Sequence, residues 1–147
     1  WSHNLNAELC KEEEVHYANE DELFKNSDIL TIHTKLSERT RDFVNRDKIS
    51  KMKKSSVIIN TSRGPIINED DLIYCLENKI ISGAGLDVYD IEPLPKLHPL
   101  RELSKKTNLL ITPHIGFVSE ETYQKFHQGY VDVIKAYIDG NPICVII

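Results

Sequence analysis

Cysteine is scarce here: Cys10, Cys75 and Cys144 are three in 147 residues, widely spaced and with no C-x-x-C pair. That excludes a disulfide framework and a Cys/His metal cluster, and it suits a reducing, cytoplasmic setting. Long apolar runs are missing as well; none approaches the roughly 20 residues needed to cross a bilayer, and no signal-peptide pattern is visible. Positive charge is in deficit, with 18 Lys and Arg against 23 Asp and Glu for a net charge of -5. A nucleic-acid partner, which needs clustered excess base, is therefore not expected. The one basic stretch, Lys48 to Lys54, reads as the solvated face of a short helix. Glycine totals six, and no Gly-x-Gly-x-x-Gly occurs. Gly83-Ala84-Gly85 imitates its start, but Val88 stands at the third glycine position, and the pair enters a strand instead of following one. There is no initiator methionine. Trp1-Ser2-His3-Asn4-Leu5 has the character of a buried strand running out into a loop, so an upstream segment is expected to precede it.

What is present is ordinary for a globular domain, with 40% hydrophobic and 28% charged residues, enough for one modest core. Short β-branched runs, nearly continuous in apolar character, predict strands of a covered parallel sheet. They are Ile29 to His33, Ser56 to Thr61, Gly85 to Val88 and Leu109 to Thr112. Helical patterns alternate with them. Glu20 to Asn26 turns Leu23 and Phe24 inward, and Arg46 to Met52 spaces Ile49 and Met52 helically. Asn68 is a suitable N-cap for a helix to about Asn78, with Glu69, Asp70 and Asp71 favourable to its dipole and Leu72, Ile73 and Leu76 as its buried stripe. The longest helix is predicted from near Ser119 to about Asp139, stopped by Gly140 and Pro142. Alternating strands and helices with short connections define an α/β fold with a mainly parallel sheet. In such sheets ligands sit beyond the carboxyl ends of the strands.

The residues just past the apolar runs are therefore the informative ones. Asn60-Thr61-Ser62-Arg63-Gly64-Pro65 places a guanidinium at a strand end beside a glycine that allows close backbone approach, an arrangement suited to clamping a carboxylate. Asp87-Val88-Tyr89-Asp90-Ile91-Glu92-Pro93 puts Glu92 in a loop stiffened by proline, and Asp87 where a buried acid would need partners. Thr112-Pro113-His114-Ile115-Gly116 fixes the backbone before His114. Taken singly, Arg63 is a surface arginine, Glu92 a solvated loop acid and His114 a structural histidine. Taken together, they place three complementary groups at successive strand ends. Arg63 would hold the carboxylate of a 2-oxo acid and polarise its carbonyl. His114 would exchange a proton with the carbonyl oxygen, and Glu92 would orient the ring and favour its protonated form. The remaining histidines, His3, His16, His33, His98 and His127, read as bystanders.

With those motifs in place, the chain resembles the D-isomer-specific 2-hydroxyacid dehydrogenases. The resemblance is carried by Asn60 to Gly64, Gly85 to Pro95 and Pro113 to Gly116, with Ser27 to Thr34 and Thr40 following the same pattern. It implies a Rossmann-like parallel sheet with flanking helices, incomplete here. Residues 1–118 would be the C-terminal part of an NAD(P)-binding domain, and 119–147 a helix and tail returning towards a substrate domain. It implies Arg63, Glu92 and His114 as the catalytic set. It further implies Ser2, Thr34, Thr61, Arg63, Asp87, His114 and Gly116 along the cofactor, Asp87 at the nicotinamide carboxamide, and no metal. A homodimer acting on a small 2-oxo or 2-hydroxy acid is implied for the whole protein, with no membrane partner. Ser2 stands where many relatives place the acid that binds the adenosine ribose. Losing that acid admits NADP(H), while the lack of an arginine in His3-Asn4-Leu5 favours NAD(H). Without a phosphate loop the isolated chain is expected to be inactive, to bind cofactor poorly and to expose apolar strand edges. Two other readings share the fold: a phosphite-type dehydrogenase, and a nucleotide-sensing protein akin to corepressors. Glu92 speaks against a formate dehydrogenase.

Overall fold

A computed structural model describes residues 1–2 and 4–146; His3, set aside above as a bystander, lies outside the described residues. The chain divides into two units, Trp1–His114 and Ile115–Ile147. The first contains, in order, α1 (Ala7–Glu12), α2 (Glu20–Asn26), β1 (Ile29–Ile32), α3 (Arg46–Ile49), β2 (Val57–Asn60), α4 (Glu69–Glu77), β3 (Gly83–Leu86), α5 (Pro99–Leu103) and β4 (Leu109–Ile111). The second is built on α6 (Glu120–Ile138).

The four strands form one sheet in the order β1-β2-β3-β4, every pair parallel, with Ile29 against Val57, Val57 against Gly83 and Ala84 against Leu109. All four carboxyl ends therefore open onto the same edge. Helix starts obey capping chemistry. Asn19 and Glu22 form a reciprocal capping box on α2, and Asn68 accepts from Asp71 N at 3.1 Å to start α4. Ser119 accepts from Thr122 N at 3.2 Å to start α6. Each such cap contributes about 1 kcal/mol. The residue after α6, Asp139, is its C-cap, and Gly140 follows with a φ of 72°, a value glycine adopts without penalty.

The core lies between the sheet and α2, α3, α4 and α5. Leu30, Ile32, Ile58, Leu86 and Leu109 from the strands meet Phe24, Ile49, Leu72, Leu76, Leu100 and Leu103 from the helices. A fully buried side chain of this kind contributes roughly 1.5–3 kcal/mol. The opposite face departs from the covered sheet expected from sequence: Ile29 is 68% and Leu110 69% exposed. The helices of the three crossovers, α3, α4 and α5, pack in succession beside one another, and Ile29 and Leu110 lie outside the core they cover.

Element limits differ in informative ways. The third strand runs Gly83–Leu86 rather than Gly85 to Val88, because Gly83 pairs with Val57 and Ala84 N bonds Asn108 O at 3.0 Å. A Cβ on Gly83 would lie 2.4 Å from the Asn108 side chain. Asp87, Thr61 and Thr112 consequently sit just beyond their strands. The helix read from Arg46 to Met52 stops at Ile49, although Met52 is still buried. Its basic stretch is neutralised by acids on and after α2: Lys48 pairs with Glu20 at 2.9 Å, Lys51 with Asp21 at 2.6 Å and Lys53 with Asp28 at 2.7 Å. The sequence reading omitted α1 and α5. For α5 the signal was available, since Pro99 occupies its first turn after a capping His98.

In the second unit, α6 carries Tyr123, Phe126, Tyr130, Ile134 and Tyr137 at helical spacing, all exposed. Phe117 and Phe126 face each other with ring centroids 6.2 Å apart.

Candidate active site

The site begins with a buried asparagine. Asn60, the last residue of β2, is 1% exposed. It accepts from Ser62 N at 3.0 Å and donates to Arg63 O at 2.9 Å, folding the turn that delivers Arg63. Ser62 in turn donates its hydroxyl to Thr34 O at 2.5 Å, tying the end of β1 to the end of β2. A 3-10 turn, Gly64–Ile66, follows. Gly64 is there for packing: a Cβ would lie 2.1 Å from the Tyr89 carbonyl carbon. The close backbone approach expected at this glycine is thus made to the loop after β3.

At the end of β3, Asp87 is 4% exposed and accepts from Thr112 Oγ1 at 2.5 Å, which answers the need of a buried acid for a partner. Tyr89 turns inward. Its hydroxyl donates to Thr112 O at 2.7 Å, with Leu86 O also in reach at 3.2 Å, while its backbone N–H donates to Glu92 Oε1 at 2.9 Å. The other oxygen, Oε2, lies 2.6 Å from His114 Nδ1. Both oxygens of Glu92 are thereby committed, one to the β3 loop and one to the imidazole. Burial pushes the Glu92 carboxyl up. The hydrogen bonds from His114 and the Tyr89 amide, with the charges of His114 and Arg63, outweigh it and hold the group below the usual glutamate range. An ionised carboxylate only accepts, so Nδ1 carries the proton of this bond.

His114 has a φ of 56°, a left-handed conformation that costs a non-glycine residue about 1–2 kcal/mol. Its neighbours hold it there. Pro113 precedes it, Thr112 is fastened to Leu86, Asp87 and Tyr89, and Glu92 holds the ring. Strain of this kind concentrates at functional sites. Beside the pair lies a cavity of about 460 Å³ whose walls include Tyr89, Glu92, Leu94, Arg101, Ile111 and His114. Arg101 donates to Pro95 O at 2.9 Å and Leu94 O at 2.7 Å, fixing the loop that follows Glu92.

The structure thus brings Glu92 and His114 into direct contact. Arg63 is exposed and donates to Ser62 O at 2.6 Å, while its charge acts on Glu92 through space. Ser2 and Thr34 share the wall of a separate polar cavity, and Thr61 is exposed. Gly116 belongs to the second unit. Sequence reasoning passed over Tyr89, Thr112 and Arg101. The first two stood inside quoted motifs, but nothing in their order announces a bond across two strands.

A parallel sheet with polar side chains gathered at its carboxyl ends defines a Rossmann-like nucleotide-binding domain. The family profile described as D-isomer specific 2-hydroxyacid dehydrogenase, NAD binding domain, matches residues 1–116, and the chain belongs to that family. A hydroxypyruvate reductase from Blautia hydrogenotrophica is 37% identical over 134 residues, covering 91% of this chain and 41% of the relative. Among solved structures, D-lactate dehydrogenase from Aquifex aeolicus complexed with NAD and lactic acid superposes with a TM-score of 0.81 at 31% identity, over 94% of this chain and 45% of that one. An acyclic imino acid reductase in complex with NADPH and D-Arg gives a TM-score of 0.76 at 29% identity, over 99% and 44%. The chain therefore spans about two fifths of the length of these relatives.

Proposed function

We propose that the chain is the nicotinamide-cofactor half of an oxidoreductase that interconverts a small 2-oxo acid and its 2-hydroxy acid. The observation that carries this reading is the Glu92–His114 contact of 2.6 Å at the carboxyl ends of β3 and β4, with the charge of Arg63 felt at Glu92. A bound nicotinamide would exchange hydride with the substrate carbon. Arg63, released from its own Ser62 carbonyl, binds the substrate carboxylate bidentately. With Nδ1 committed to Glu92, the proton that moves to or from the carbonyl oxygen travels on Nε2 of His114. Glu92 keeps the ring oriented and compensates its positive charge.

The residues present fit a dinucleotide. Ser2 and Thr34 line a polar cavity beyond β1, Thr61 and Arg63 follow β2, and Asp87 closes β3. In this reading they hold the cofactor from adenosine to nicotinamide, and Gly116 contributes its backbone; residues 1–118 form the cofactor-binding part and 119–147 the returning helix. Glyoxylate, hydroxypyruvate and pyruvate are the substrate class, chosen because a hydroxypyruvate reductase and a D-lactate dehydrogenase complexed with lactic acid stand among the relatives. A homodimer and a cytoplasmic setting complete the proposal; the latter is supported by three unpaired thiols. Burial pushes the Cys75 thiol up, a property of an inert packing residue.

The isolated chain is inactive in this reading, since it has no glycine-rich loop to hold a pyrophosphate. The test joins it to the upstream segment of a relative and follows oxidation of reduced cofactor with each acid. Turnover that depends on His114 supports the proposal. Tight cofactor binding without turnover would instead favour a nucleotide sensor.

A further inference from the structure

The loop that carries Glu92 has few means of holding itself. It contains Pro93 and Pro95, and α5 opens with Pro99; none of the three has an N–H to donate. Ile91 is 62% and Leu97 98% exposed, and from 91 to 97 Leu94 is the one buried residue. His98 N donates to Pro95 O at 3.1 Å, a turn that lies beyond Glu92. Glu92 nonetheless keeps both carboxylate oxygens engaged, Oε1 with Tyr89 N and Oε2 with His114 Nδ1.

Arg101 supplies the missing hold. Its Nε donates to Pro95 O at 2.9 Å and its Nη2 to Leu94 O at 2.7 Å, so one rigid planar group grips two consecutive carbonyls. The helix that carries it is itself fixed. Leu100 and Leu103 are buried in the core, and His98 Nε2 lies 3.2 Å from Glu69 Oε1, joining the start of α5 to the start of α4. A chain of contacts thus runs from α5 through Arg101 to the Leu94 and Pro95 carbonyls, and from that loop through Glu92 to His114. Charge does not account for this placement. The cations that act on Glu92 are His114 and Arg63, while the charge of Arg101 acts on Tyr89.

We propose that Arg101 is a positioning residue: its grip on the Leu94 and Pro95 carbonyls keeps Glu92 on His114, and so sets the orientation of the imidazole. The catalytic consequence rests on the preceding reading of His114 as proton carrier; the hold on Glu92 rests on the loop alone. A misplacement of about 1 Å can cost roughly 10²-fold in rate, so a grip two residues from Glu92 has more leverage on turnover than on stability.

The experiment takes the 147-residue chain with Arg101→Met, which keeps an unbranched stem and removes the donors. Carbon-detected NMR follows the Glu92 carboxyl with pH, and nitrogen NMR follows His114 Nδ1. The Glu92 midpoint is expected to rise towards that of a free glutamate, about 4.3, with a concerted change at Nδ1. Arg101→Lys keeps the stem and the charge but not the planar fork, and should show a smaller rise; if Arg101→Met fails to fold, this variant decides alone. Lys105→Met removes a cation just beyond α5, one that pairs with Glu102 at 2.6 Å, and should leave Glu92 at its parental midpoint. An unmoved Glu92 in both Arg101 variants, even with a lower melting temperature, overturns the proposal, as does an equal rise in Lys105→Met. Joined to the upstream segment of a relative, the Arg101→Met chain should lose about tenfold or more in kcat with KM little changed. A parental kcat despite a displaced Glu92 overturns the catalytic consequence. The NMR measurement needs no turnover, so it judges the hold on Glu92 even if the hydride-transfer reading fails.

Discussion

The Tyr89 hydroxyl donates to the Thr112 carbonyl at 2.7 Å, fastening the loop after β3 to the end of β4 two residues before His114. The same tyrosine gives its backbone N–H to Glu92, so one residue braces both members of the imidazole–carboxylate pair. Tyr89→Phe removes only the hydroxyl and should cost about 1 kcal/mol, read as a lower urea midpoint with an unchanged slope. An unaltered midpoint would show that the bond contributes nothing.

Gly64 should tolerate no side chain. A Cβ there meets the Tyr89 carbonyl carbon at 2.1 Å and its oxygen at 2.3 Å, and both belong to backbone already held by Glu92 and Thr112. Gly64→Ala is expected to destabilise the first unit by on the order of 3 kcal/mol or more. Circular dichroism during thermal unfolding reads this directly, and a variant melting at the parental temperature would contradict the packing.

The depressed Glu92 carboxyl makes a pH prediction. Its folded value lies below the unfolded one, so the stabilisation it provides is fully present above the ordinary glutamate range. That stabilisation is lost as pH falls through the folded value. Carbon-detected NMR of the Glu92 carboxyl should titrate below a free glutamate, which lies at about 4.3. His114→Ala should move the midpoint upward by removing the strongest opposing influence. A midpoint indifferent to His114 would mean that the pair does not persist in solution.

Catalysis separates the two cationic groups. In the hybrid with a relative's upstream segment, His114→Gln should lower kcat by roughly 10²–10⁴-fold, the contribution of a general acid. Arg63→Ala should raise KM as well as lower kcat, because carboxylate binding and carbonyl polarisation are lost together. A His114→Gln enzyme with parental kcat would place the proton on another group.

Much of this was legible in the order of residues. Asn19, Asn68 and Ser119 announce their helices because a cap is a local event within one turn. Four β-branched runs announce strands, and Asn60 to Gly64, Asp87 to Pro93 and Pro113 to Gly116 mark where the chain leaves them. Less legible were the limits of β3, where Gly83 has no side chain and Ala84 only a methyl group to advertise the pairing, and the face that exposes Ile29 and Leu110. Apolar side chains report that a face wants cover; they do not report whether this segment supplies it.

By itself, the sequence determined the kinds of group at each strand end and their order, since parallel strands must release their chains on one edge of the sheet. Only the tertiary structure decided which groups touch. Glu92 reaches His114, and Thr112 is gripped by Asp87 and Tyr89. Each meeting joins residues far apart in the chain, at distances set by strand register and buried packing, which no local pattern encodes.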